Sequence, residues 1–179
     1  YHPLTVLSYA VIYHFHEFDP YPYHLYNLIL HLLNTLLIFW LIFRISEKRF
    51  ALSFAAAILF GVHPLHVESV TWVSETKDVL YAFFFLLSII SYTYYSYDRK
   101  KLKFYFLALL FFVMSCLSKG MAVTLSAVLV IIDYLQHRRF VWKLLIEKIP
   151  FFIVSVLFGI LAIHAQSISK AIFQVPEYS

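Results

Sequence analysis

Residues 25–43 carry no acidic or basic side chain other than His31, and comparable apolar runs recur almost to the end of the chain. Backbone polar groups in lipid must be satisfied within the segment, so runs of this kind fold as helices. Soluble domains have about 45–50% apolar and about 25% charged residues. Here 62% are hydrophobic and 13% charged. The chain therefore reads as all-α, a polytopic membrane helical bundle. A span needs about 20 apolar residues, so the length accommodates about six spans joined by short turns. No soluble domain of any size fits beside them.

Three zones are expected. Residues 1–22 form a non-cytoplasmic loop with an interfacial helix, because Leu4, Leu7, Val11 and Phe15 recur at helical spacing before Phe18-Asp19-Pro20. Residues 23–167 hold the transmembrane helices, and 168–179 begin the next non-cytoplasmic loop. Within the first long run, Asn27, His31 and Asn34 fall at i, i+4 and i+7, a single helical stripe that should face protein. Residues 51–62 make only half a span before His63-Pro64, where proline starts or kinks a helix. Further spans are expected at 79–97, 102–118, 121–135 and 149–166. The one cysteine, Cys116, lies in an apolar run and excludes a disulfide framework. The chain opens at Tyr1 without Met or a basic leader, and it reads as an internal fragment.

Basic residues orient the bundle. Arg44, Lys48, Arg49, Arg99, Lys100, Lys101, Lys103, Arg138, Arg139, Lys143 and Lys148 fall on one side, taken as cytoplasmic. Lys77, Lys119 and Lys170 fall on the other. The net charge of +4 is thus a matter of topology, and nucleic acid is not implied. An integral membrane location follows.

One stretch breaks the apolar pattern: FGVHPLHVESVTWVSETKD, residues 60–78. Ionisable groups between lipid-length runs are costly and usually mark a site. If helix resumes after Pro64, then Glu68, Trp72 and Glu75 share a face, with Asp78 on a neighbouring stripe. The alternative is a solvated polar cap at the membrane surface. His63, His66 and Glu68 offer metal donors, yet their spacing matches neither H-E-x-x-H nor H-x-x-E-H, so a divalent metal is a secondary reading. Lys77 and Lys119 lie at span ends, suited either to phosphate or to snorkelling toward headgroups. Asp133 reads as structural.

The order YHPLTVLSY, YHLYNLILHLLNTLL, FGVHPLHVESVTWVSETKDVLYAFFFLLSIISY and LSKGMAVTLSAVLVIIDY resembles the membrane part of bacterial tetratricopeptide-repeat glycosyltransferase-like proteins. These are relatives of the TMTC O-mannosyltransferases and, more remotely, of protein O-mannosyltransferases with the GT-C fold. The resemblance runs to about Arg139, and HPLHVESV with K-D-V-L is its most specific part. It implies an enzyme that moves a sugar, mannose or a similar hexose, from a polyprenyl-phosphate donor to a protein hydroxyl outside the cytoplasm. It also implies a general base upstream of Tyr1. His2 lies in the matching end of that loop, and Asp78 matches the acidic residue after a basic one. Lys77 stands where animal relatives commonly have Arg, which keeps the charge and loses the planar fork.

On this reading Lys77 and Lys119 neutralise phosphate, Asp78 and Glu68 position sugar or acceptor, and His63 and His66 hydrogen-bond the donor. The Asn27, His31, Asn34 stripe packs against them. A transporter or flippase, a metal-dependent hydrolase and a non-catalytic scaffold are the competing functions. A transporter would show charges near the midplane and paired interrupted helices.

Overall fold

The computed structural model describes residues 2–136 and 142–168. Tyr1, Arg138, Arg139, Lys170, the side chain of Lys143 and the expected terminal loop from 169 onward lie outside the described residues. Helix α1 (Pro3–His16) begins on a proline, whose fixed φ suits a first turn. It ends before Phe18-Asp19-Pro20, because Glu17 takes a left-handed φ of 50°. Asp19 then caps α2 (Pro20–Ile45), its carboxylate accepting the Tyr21 N–H at 3.0 Å. Glu47 and Lys48, both at positive φ, turn the chain into α3 (Phe50–Val62).

The break at His63-Pro64 is present. His63 is extended (φ −67°, ψ 129°), as proline requires of its predecessor, and α4 (Leu65–Thr71) leaves at 60° to α3. Helix does not run on from there to Glu75. Trp72 is extended (φ −92°, ψ 123°), a 3-10 turn covers Val73–Glu75, and α5 spans Thr76–Tyr97. The expected common face of Glu68, Trp72 and Glu75 is therefore absent, because the corner at Trp72 turns the later residues away. After α5 come α6 (Leu102–Ser118), a 3-10 turn (Gly120–Thr124), α7 (Leu125–Leu135) and α8 (Trp142–Ile168).

Side-chain hydrogen bonds fix the directions of these helices. Ser115 Oγ donates to the Tyr81 carbonyl at 2.9 Å and Ser88 Oγ to that of Ala108 at 2.7 Å, so α5 and α6 are antiparallel. Small residues at that contact let the backbones approach closely. Asn34 meets Val79 while Arg44 meets Thr93, so α2 runs parallel to α5. Ser96 donates to Gln136 at 2.6 Å near the end of α7, and Ser155 of α8 reaches back to the Val123 carbonyl at 2.8 Å. One end of the bundle thus gathers Arg44, Lys48, Arg49, Arg99, Lys100, Lys101 and Lys103. The other carries α1, α4, the start of α5 and the end of α6.

The core lies toward the basic end. Tyr92, Phe112 and Phe151 are fully buried, and the last two stack with centroids 5.8 Å apart. Among them sits an ion pair between Asp133 of α7 and Lys148 of α8. The Tyr92 hydroxyl donates to the Asp133 carboxylate at 3.1 Å. Lys148, counted from the sequence among the basic residues of the cytoplasmic side, is 2% exposed.

Among the described residues three helices are long and apolar enough to cross a membrane, lying within Pro20–Ile45, Val73–Tyr97 and Leu144–Ala165, and a fourth if the bent pair α3–α4 is one span. The expected six is reached only by adding α6 and the Gly120–Leu135 segment, which are shorter apolar helices. At 1.5 Å per residue, a helix the length of α6 covers about 25 Å against a hydrocarbon core of about 30 Å.

Candidate functional site

The polar stripe on α2 is the frame on which the opposite end of the bundle is built. Asn27, His31 and Asn34 are all buried. The Asn27 amide donates to the Trp72 carbonyl at 3.2 Å, and its oxygen accepts from the Thr76 hydroxyl at 2.6 Å. His31 Nε2 donates to the Gly61 carbonyl at 3.0 Å, and Asn34 donates to the Val79 carbonyl at 2.9 Å. These three side chains tie α2 to the end of α3, to the Trp72 corner and to the first turn of α5. Gly61 lets α3 approach α2 closely, since a Cβ there would stand 3.2 Å from the Thr35 methyl, tighter than ordinary van der Waals contact. As expected from its spacing, the stripe faces protein and packs on the 60–78 segment.

Asn27 is the clamp of the corner. Its replacement by leucine strips the Trp72 carbonyl of a side-chain donor and leaves Thr76 only its own-turn acceptor, the Val73 carbonyl at 2.8 Å. Asn27→Leu is expected to lower stability by about 1–3 kcal/mol. Unfolding of the detergent-purified protein measures this, and wild-type stability would remove Asn27 from the role.

From the corner project the charged groups. Lys77 pairs with Glu75 at 3.2 Å, and Asp78 pairs with Lys119, which reaches across from the end of α6. All four side chains are part-exposed. The Lys119 ammonium also stands 5.6 Å from the centroid of the Tyr81 ring. Thr5 of α1 donates to the Ser118 carbonyl at 3.2 Å, and Tyr9 donates to that of Val73 at 2.6 Å, so α1 closes this end. His2 is brought to the same place. Burial, with the nearby Lys77 and Lys119 cations adding to it, lowers the His2 pKa and favours the neutral imidazole. Its Nδ1 is buried without a hydrogen-bond partner.

The other expected site residues stand apart from this cluster. His66 packs between Phe60 and His31, with ring centroids at 4.3 and 5.8 Å. His63 is exposed, and its Nδ1 accepts the Leu65 N–H at 3.2 Å. Glu68 is exposed on α4. Among the described residues no three His, Cys, Asp or Glu side chains are placed to hold a metal ion. An apolar groove of about 170 Å³ is lined by Phe60, Tyr81, Phe85, Leu86 and Met121 among others, sharing with the charged cluster the Tyr81 ring near Lys119. The pairing of Asp78 with Lys119 and the clamp at Asn27 and Thr76 were not read from the sequence. The sequence signal for the clamp was an amide within an apolar run, and for the ion pair that Asp78 and Lys119 fall on the same side of the bundle.

The apolar spans and the buried polar stitches define an all-helical membrane protein. Comparison with known proteins then gives its relatives. Mouse Protein O-mannosyl-transferase TMTC1 is 38% identical over 92 residues, 51% of this chain and 10% of the mouse protein. Mouse Protein O-mannosyl-transferase TMTC3 is 39% identical over 93 residues, 52% and 10% respectively. A Caenorhabditis elegans Protein O-mannosyl-transferase, F38B6.6, is 29% identical over 140 residues, 77% of this chain and 19% of its own length. The chain therefore spans between a tenth and a fifth of these curated relatives. No family model and no solved structure matches. The resemblance to TMTC-type protein O-mannosyltransferases drawn from the motifs is shown by these relatives.

Proposed function

We propose that this chain is part of a membrane O-glycosyltransferase that moves mannose, or a similar hexose, from a polyprenyl-phosphate donor to a protein hydroxyl on the non-cytoplasmic face. The observation that carries this reading is the cluster of Lys77, Asp78 and Lys119 at the end of the bundle opposite the basic connections, beside an apolar groove. The named activity of the relatives supports the sugar and the protein acceptor. The charged cluster supports the phosphate, and the groove supports its lipid.

In the reaction the acceptor oxygen forms a bond to the anomeric carbon, the bond from that carbon to the phosphate oxygen breaks, and polyprenyl phosphate leaves. Negative charge accumulates on the leaving phosphate, where Lys77 and Lys119 stabilise it. Asp78 and Glu68 position sugar or acceptor hydroxyls as hydrogen-bond acceptors. His2, His63 and His66 supply hydrogen bonds to the donor, with neutral His2 presenting Nδ1. The proton of the acceptor hydroxyl goes to a base that this reading assigns to no residue of the chain. The fold on this reading is GT-C-like, and the membrane is the bacterial inner membrane or the endoplasmic reticulum. The basic connections face the cytoplasm.

The test is transfer by the full-length protein, purified in detergent and supplied with polyprenyl-phosphate mannose and an acceptor polypeptide. Mannose should appear on the acceptor, and Lys77→Ala and Asp78→Asn should each lower the rate by at least about tenfold. Transfer at the wild-type rate by both variants would remove these residues from the site.

A further inference from the structure

We propose that Glu75 is a built-in stand-in for the donor's phosphate: its carboxylate holds Lys77 and gives way when an anionic lipid phosphate binds. This rests on the reading of Lys77 as a phosphate-binding group. Residues two apart on a continuous helix do not face each other. Glu75 and Lys77 meet at 3.2 Å only because the chain changes from a 3-10 turn to α-helix between them. That change of path follows the corner that Asn27 and Thr76 hold by hydrogen bonds to Trp72 and to each other.

The surroundings make an exchange of partners reasonable. Lys77 and Lys119 are balanced by Glu75 and Asp78, and the neighbouring His2 favours its neutral form. Such a cluster is neutral by itself, which spares two part-buried ammonium groups from standing uncompensated. A phosphate adds negative charge, so a carboxylate must withdraw for the lysines to bind it. Glu75 is placed to do so. Its side chain is 23% exposed and the Lys77 side chain 28%, and the glutamate has one more methylene than Asp78 with which to swing away. Asp78 remains beside Lys119, held between α5 and α6.

Dodecyl phosphate serves as the probe, titrated calorimetrically at low salt into the full-length protein in detergent. Glu75→Gln removes the competing charge at nearly constant shape, and it should bind the probe about two- to fivefold more tightly than wild type. Glu75→Ala should do the same. Glu47→Gln, which makes the same change of net charge in the basic-end connection, should leave the affinity unchanged. Lys77→Gln should weaken binding, and adding Glu75→Gln to it should restore nothing. Equal or weaker binding by both Glu75 variants, with binding still dependent on Lys77, overturns the proposal and leaves the site intact. Binding indifferent to Lys77 and Lys119 overturns the site and the proposal together.

Discussion

Lys119→Ala in the full-length protein is expected to lower sugar transfer by about a hundredfold or more, the usual effect of removing one donor aimed at a developing oxyanion. The size of the effect follows from where Lys119 sits. It lies at the extended residue that ends α6, and from there it crosses to Asp78 in the first turn of α5. On the proposed function its loss removes a cation from the leaving phosphate, and it leaves Asp78 without its ammonium partner. Both consequences act on the transition state, so the loss should appear in kcat at saturating donor as well as in kcat/KM. Lys119→Arg keeps the charge and should recover part of the rate. The reading fails if Lys119→Ala turns over normally while remaining as stable as wild type.

The second large effect is on folding and concerns the opposite end. Asp133→Leu should cost about 3–5 kcal/mol of stability, because it leaves the Lys148 ammonium buried without its counter-charge. Lys148 has few other resources. It donates to the Leu144 carbonyl at 3.3 Å, and its ammonium stands 5.5 Å from the Tyr92 ring centroid. Replacing both partners, Asp133→Leu with Lys148→Met, should restore most of the loss, since no charge then remains to be desolvated. Denaturant unfolding of the three variants in detergent measures the coupling. If the double variant is as unstable as the single one, the pair is not what holds α7 to α8.

Much of this was legible in the sequence where periodicity and cost sufficed. The i, i+4, i+7 spacing of Asn27, His31 and Asn34 placed them on one stripe, and an amide or imidazole facing lipid would be left unsatisfied. Pro64 broke the helix because its effect on His63 is local. One reading failed for the complementary reason. A helix from Pro64 to Glu75 was consistent with local propensity, yet Asn27 holds the Trp72 carbonyl from another element. The count of six spans takes each apolar run as a crossing; among the described residues three or four helices are long and apolar enough, and α6 and the segment that follows it are shorter.

What the sequence alone determined is what depends on neighbours along the chain. That covers the helical membrane character, the broken span at His63-Pro64, the separation of basic connections from the acidic segment and the resemblance to O-mannosyltransferases. The tertiary structure decided the partners: Asp78 with Lys119, Lys77 with Glu75, and Asp133 with Lys148. Charges buried or half-buried in a bundle take the counter-charge that packing brings near. In two of these pairs that neighbour comes from another helix, and in the third from the 3-10 turn just before the same helix, which follows a corner that another helix holds.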